Sequence, residues 1–251
     1  MGSERIPSLD GLRALSVARV VVSHLAEVHD PKDQRFNADW AILANGQIGV
    51  SIFFVISGFL ITSLLLEEWG RNGRISLRDF YLRPALRILP PYYAFLISIL
   101  LAARLGWLSV ATREWLAPAL FYWNYGSFAK SWWLGHTWSL CVEEQFYLMW
   151  PLILVFFEMN VARKIATWIV ALAPLIRIGT YFALPAFREK LTFFFLSSRA
   201  DALMIGCLLA LCSSEPQFAS LLARANRAWV PLVCAGFIFC GVAGAVFGVS
   251  L

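Results

Sequence analysis

The chain has 251 residues, 59% of them hydrophobic and only 15% charged, with a mean hydropathy of +0.67. Soluble domains run about 45–50% apolar and about 25% charged, so these proportions exclude an ordinary soluble enzyme and describe an all-α polytopic transmembrane helical bundle. The net charge of +5 does not imply nucleic acid as a partner. Its arginines stand beside apolar spans, where topology, anionic lipid or a cofactor phosphate accounts for them.

Hydropathy predicts about seven spans, near residues 10–28, 46–66, 86–105, 138–157, 163–183, 194–212 and 229–251. Each is long enough for a hydrocarbon core of ~30 Å. No Gly/Ser/Pro-rich linker and no repeat divides the chain, so 1–251 reads as a single integral-membrane domain. Cys141, Cys207, Cys212, Cys234 and Cys240 lie in or beside apolar runs without a C-x-x-C pair, as small core residues do. No metal site is expected.

The first span, Ser8 to His29, is apolar yet carries Arg13, Arg19 and His24. Arg13 and His24 are eleven residues apart, roughly 16 Å along a helix and within ~20° of the same direction, whereas Arg19 points about 240° away. An ionised side chain near the bilayer centre costs on the order of 2.5–3.5 kcal/mol, so an aligned pair calls for partners or water. One such residue alone is equally well explained by snorkelling or a buried neutral imidazole. No cleavage site follows, so the span is expected to be retained.

The second span places Gly49, Ser51, Ser57, Gly58 and Thr62 along a helix, a pattern for close helix packing. The expected loop from Glu67 to Arg87 carries Arg71, Arg74, Arg78, Arg83 and Arg87, which makes it cytoplasmic. Arg83 and Arg87 are helical neighbours and run into the apolar segment, where paired guanidiniums suit phosphate. Pro90-Pro91 is expected to kink or interrupt the start of the third span.

Trp115 to Tyr125 is short and broken by Pro118, and reads as a re-entrant or interfacial segment. With seven crossings, the N-terminus and the loops holding Arg163/Lys164 and Arg224/Arg227 all fall on the cytoplasmic side, and the acid-rich loop Glu27 to Asn45 falls outside. An eighth crossing at 115–125 would reverse the later loops. His24 then lies in the outer half of the membrane and Arg13 near the cytoplasmic face.

The stretch HTWSLCVEEQFYLMW, His136 to Trp150, puts Glu143 and Glu144 at the outer opening of the fourth span, with Thr137 or Ser139 as its cap. One acid satisfies a helix dipole; two beside His136 and Gln145 exceed that role. A carboxylate there can orient an imidazole as general base, and either Glu serves. Further on, Arg177 lies within span five, and Arg199 and Asp201 open span six, two residues apart and so not facing each other. They either line a cavity or mark the interface. The last apolar run carries no charge and reads as structural.

The pieces SLDGLRALSV with Arg13-x10-His24, FFVISGFLIT, FYLRPALRILPPYY, HTWSLCVEEQFYLMWPLIL and SSRADALMIGCLLA come in order from Ser8 to Ala210. Together they resemble the acyltransferase 3 family, membrane O-acyltransferases that modify bacterial polysaccharides, lipids and other acceptors. The resemblance implies a bacterial inner-membrane protein with no permanently bound cofactor and an acyl-CoA donor, usually acetyl-CoA, presented from the cytoplasm. It implies transfer to a hydroxyl of a carbohydrate or lipid-linked acceptor. By motif position, Arg13 and His24 become the essential pair, Arg83 and Arg87 the cytoplasmic basic motif, and Glu143 or Glu144 the outer acidic motif. Two departures stand out: Arg83 is followed by Pro84 where the family often has adjacent arginines, and the chain stops inside an apolar run where the family has about ten spans. The chain is therefore expected to be incomplete at its C-terminus.

Those roles give a mechanism in which His24 serves as general base or transient acyl carrier, with Glu143 or Glu144 holding the imidazole. Arg13, Arg83 and Arg87 hold the donor, and His136, Arg199 and Asp201 contact substrate. The competing expectations are a transporter with an intramembrane His/Glu proton relay and an inactive fragment of a longer acyltransferase. The sequence does not identify the acceptor.

Overall fold

The structure is a computed structural model and describes residues 7–28, 46–125, 132–183, 196–213 and 220; among these, all regular structure is helical. The helices are α1 (Pro7–Val28), α2 (Gly46–Asn72), α3 (Leu77–Arg104), α4 (Thr112–Ala119), a 3₁₀ turn (Trp123–Tyr125), α5 (Trp132–Gly135), α6 (Thr137–Phe156), α7 (Met159–Ala183) and α8 (Leu196–Ser213). Among the described residues, α2, α3 and the run Trp133–Phe156 are long and apolar enough to cross a membrane. Helices α1, α7 and α8 coincide with three more expected spans. The expected span 229–251, the loop at 29–45, Arg224, Arg227, Cys234 and Cys240 lie outside the described residues.

The chain divides into two compact units, one of Met1–Ser57 with Leu209–Leu251 and the other of Gly58–Leu208. In the first unit α1 is turned inside out relative to a helix of a soluble protein. Ser16 is buried, Arg13, Arg19, Val20, Ser23 and His24 are half-buried, and Leu12, Leu15, Val17, Val21 and Val22 are exposed. Leu15 is 59% exposed against 1% for Ser16, next to it in sequence. A helix in lipid behaves this way because acyl chains solvate leucine as well as a protein core does, and only polar groups must turn inward. Arg19 therefore corrects the sequence reading: it stands at the edge of the inward stripe instead of pointing away from it.

Small residues let α1 and α2 approach. A Cβ built on Gly49 would lie 2.8 Å from the Ser16 carbonyl oxygen, and one on Gly46 would lie 2.8 Å from the Ser23 hydroxyl. In the second unit Gly58 packs directly on the Leu203 carbonyl. Thr62 Oγ1 donates to the Gly58 carbonyl (2.7 Å) and accepts from Trp150 Nε1 (2.8 Å), so the close contact is tied to α6 as well. Leu65, Leu96, Trp150, Leu154 and Leu203 are also buried in this unit.

One expectation about α3 is corrected and another is narrowed. The expected loop from Glu67 to Arg87 shrinks to the four residues 73–76 because helix runs to Asn72 and restarts at Leu77. Gly73 takes φ +65° there, and Ser76 caps α3, accepting from Asp79 N at 3.4 Å while its own N–H reaches Glu68 Oε1 at 2.8 Å. Pro90 and Pro91 do not interrupt the helix, which continues through Pro84, Pro90 and Pro91 to Arg104. The carbonyls that two prolines leave without i+4 donors belong to Leu86 and Arg87, whose residues are exposed, and proline's own φ is helical.

The Gly58–Leu203 contact leaves no room for a methyl group. Gly58→Ala should destabilise the protein by about 1–3 kcal/mol, the cost of overpacking a close contact. Reversible unfolding in mixed micelles checks this; an unchanged midpoint contradicts it.

Candidate active site

The segment from Trp115 to Tyr125 is bonded to the polar residues of α6. Helix α4 ends at Ala119, and the chain turns through Phe121, a non-glycine residue at φ +54°, into the 3₁₀ turn. Ending a helix at membrane depth frees carbonyls that no water is guaranteed to meet. Side chains meet them here. Tyr92 OH donates to Pro118 O (2.9 Å), Tyr93 OH to Ala119 O (3.0 Å) and Gln145 Nε2 to Phe121 O (2.7 Å). Gln145 and Asn124 also exchange amide hydrogen bonds at 2.9 and 3.2 Å, and Trp115 Nε1 donates to Leu96 O at 2.7 Å. At the other end Glu114, buried, accepts from Ala111 N at 3.0 Å.

On α6, Glu143 and Glu144 sit in the second turn instead of the first, so the helix-dipole explanation weakens. The expected cap is also corrected. Thr137 Oγ1 donates to Leu134 O (2.7 Å) and Ser139 Oγ to His136 O (3.2 Å), because α5 leads almost directly into α6 and no free turn of N–H groups remains to be capped. Glu143 is 4% exposed and accepts a hydrogen bond from the Tyr147 hydroxyl one turn later. Glu144 is half-buried, within electrostatic reach of Glu143, Tyr92 and Cys141.

Arg199, 9% exposed, lies with its guanidinium carbon 5.8 Å from the ring centroid of Trp138 on α6. Asp201 Oδ2 is paired with Arg177 Nη2 of α7 at 2.6 Å, and both charges are felt at Arg199. Arg199 and Asp201 thus take different partners, as their spacing implies. His136 is exposed at the start of α6, its ring 5.4 Å from Phe95. Arg87 is exposed on α3, which also contains Arg83.

In the first unit, the unbroken α1 keeps Arg13 and His24 on one half-buried stripe, about 16 Å apart by helical rise. The Arg13 guanidinium lies 5.5 Å from the Phe53 ring centroid, and Ser16 Oγ donates to the Arg13 carbonyl at 2.8 Å. Arg13 and His24 belong to one unit, and Glu143, Glu144, His136, Arg199 and Asp201 to the other.

Sequence reasoning missed three features. The Arg177–Asp201 pair joins residues 24 apart, and no local rule gives that register. The Glu143–Tyr147 bond was available from its i,i+4 spacing. A polar cavity of about 640 Å³ at the α2–α3 turn, lined by Glu68, Asn72, Arg74, Ile75, Ser76 and Asp79, has two carboxylates to one guanidinium. That balance is unsuited to phosphate. Among the described residues, no three His, Cys, Asp or Glu side chains gather as metal ligands.

A family model described as an acyltransferase domain matches residues 6–197. Among curated proteins, the chain is 32% identical over 226 residues to an O-acetyltransferase OatA of Staphylococcus aureus, covering 82% of this chain and 34% of the relative. It is 33% identical over 228 residues to a putative peptidoglycan O-acetyltransferase YrhL of Bacillus subtilis, covering 82% and 33%. A peptidoglycan O-acetyltransferase OatA of Listeria monocytogenes is 30% identical over 239 residues, covering 89% and 36%. The chain thus spans about a third of the length of the curated relatives it matches. No solved structure matches.

The half-buried Arg177–Asp201 pair gives the site a stability test. Arg177→Ala should cost at the low end of the roughly 3–5 kcal/mol for stranding a buried charge, because the two side chains are 28% and 17% exposed. Removing Asp201 as well should restore part of the loss. Equal stability of the single and double variants in micelle unfolding contradicts the pairing.

Proposed function

This chain belongs to the acyltransferase 3 family, and on that premise we propose that it moves an acyl group, acetyl above all, from acyl-CoA to a hydroxyl of a carbohydrate or lipid-linked acceptor. Peptidoglycan is the first acceptor to test, since two of the relatives carry it in their names. The protein sits in the bacterial inner membrane as a seven-span bundle with its N-terminus in the cytoplasm, and 1–251 acts as one integral-membrane domain. Membrane lipid is its surrounding and nucleic acid is not a partner.

The observation that carries this reading is the inward polar stripe of α1, where Arg13, Ser16 and His24 are withdrawn from the face that exposes leucine and valine. Keeping an imidazole and a guanidinium in a membrane helix is costly unless they act on something. In the proposed reaction His24 takes the proton of the acceptor hydroxyl as its oxygen attacks the thioester carbonyl. A C–O bond forms, the C–S bond breaks, and the proton passes to the departing thiolate. Positioned acid–base help of this kind is worth about 10²–10⁴ in rate. Arg13, Arg83 and Arg87 hold the anionic donor from the cytoplasmic side. Glu143 or Glu144 supplies the carboxylate of the acid–base machinery. On the outer side His136 and Arg199 contact the acceptor, and Asp201, held by Arg177, shapes that contact.

Cells expressing the chain should gain base-labile acetyl groups on cell-wall glycan or envelope lipid, measured by mass spectrometry with and without the gene. His24→Ala should abolish the gain at an undiminished protein level in the membrane. Near wild-type acetylation by that variant contradicts the role of His24, and movement of an unmodified solute without acyl transfer contradicts the enzymatic reading.

A further inference from the structure

The pair Glu143 and Glu144 leaves open which carboxylate is oriented for chemistry, and the structure separates them. Glu143 is nearly excluded from its surroundings, at 4% exposure, and accepts the Tyr147 hydroxyl. Glu144 is half-buried and shares its surroundings with Tyr92 and Cys141 beside the helix break.

We infer that Tyr147 is a positioning residue that fixes the Glu143 carboxylate for acyl transfer. The inference rests on the acyltransferase reading and selects Glu143 as its working carboxylate.

Two things make Tyr147 a rigid donor. Its ring is buried and lies 5.9 Å from that of Phe146, which stacks on Trp150 at 6.2 Å with planes 16° apart. Trp150 in turn is fully buried and bonded to Thr62 on α2. The phenol is thus carried on a turn of α6 anchored by Trp150, one turn from the carboxylate it grips. A carboxylate held at Oε1 by such a donor keeps its plane, and so the direction of its other oxygen, without ordering cost when the reaction begins. A glutamate free to rotate would lose that direction among its rotamers. The hydroxyl can be removed without disturbing the ring that packs.

The test is Tyr147→Phe in the full chain. Permeabilised membranes receive acetyl-CoA labelled in its acetyl group as donor and N-acetylglucosamine–N-acetylmuramic acid oligomers as acceptor. Losing a hydrogen bond to a charged group should lower kcat roughly ten- to hundredfold, with KM for both substrates within about twofold and the membrane level of protein unchanged. A wild-type kcat overturns the inference, as does a rise in KM or a loss of protein that accompanies the fall in rate, since either marks a structural role. Glu143→Gln is measured alongside. If it is slow while Tyr147→Phe is not, only the positioning role fails. If Glu143→Gln transfers at the wild-type rate, the assignment of Glu143 fails and the positioning role with it; if the unsubstituted chain transfers no label, the acyltransferase reading itself is overturned, and this inference with it.

Discussion

Every polar group inside a bilayer must be met by protein, by a captured water or by substrate, and this rule shapes the molecule more than hydrophobic burial does. It explains why the break between α4 and the 3₁₀ turn is surrounded by donors. Tyr92, Tyr93 and Gln145 reach the carbonyls of Pro118, Ala119 and Phe121 at the interrupted helix end, and Pro118 O accepts from Phe121 N as well. Gln145 and Asn124 then complete each other. The break costs little once these are in place. The left-handed backbone of Phe121, worth on the order of 1–3 kcal/mol of strain for a residue with a side chain, persists for the same reason. Its carbonyl is clasped by Gln145.

The same rule gives the polar residues of the other helices their meaning. Asp201 is matched by Arg177, Glu143 by Tyr147, and Arg199 lies over an indole. In α1 the apolar residues face out and the arginine, serine and histidine are drawn in. Membership of an acyltransferase family gives a chemical use to such residues. In the proposed reaction the imidazole serves proton transfer from a hydroxyl and the guanidiniums serve recognition of phosphate.

Much of this was legible in the sequence wherever one helix suffices to define the geometry. The alignment of Arg13 with His24 follows from eleven residues of helix, and the packing role of Gly49 and Gly58 follows from their place in an apolar run. Features set by two helices were not legible. The register that brings Arg177 to Asp201 depends on how α7 and α8 pack, and the donors that sustain the α4 break come from α3 and α6. Pro90 and Pro91 do not interrupt α3, because proline's own φ is helical and only the bonds to Leu86 and Arg87 are lost. Thr137 and Ser139 misled because the boundary they were to cap is occupied by α5. Arg19 was placed by its angle to Arg13 alone, although the inward stripe is wide enough to include both.

The central claim is that position 24 opens on water and not on acyl chains. In a background with the five cysteines replaced by serine, His24→Cys should react rapidly with a small, permanently charged, membrane-impermeant thiosulfonate. A cysteine at Leu15, on the exposed apolar face of the same helix, should resist it. Protection of position 24 from the charged reagent, with labelling only by a lipid-soluble maleimide, would contradict the proposed site.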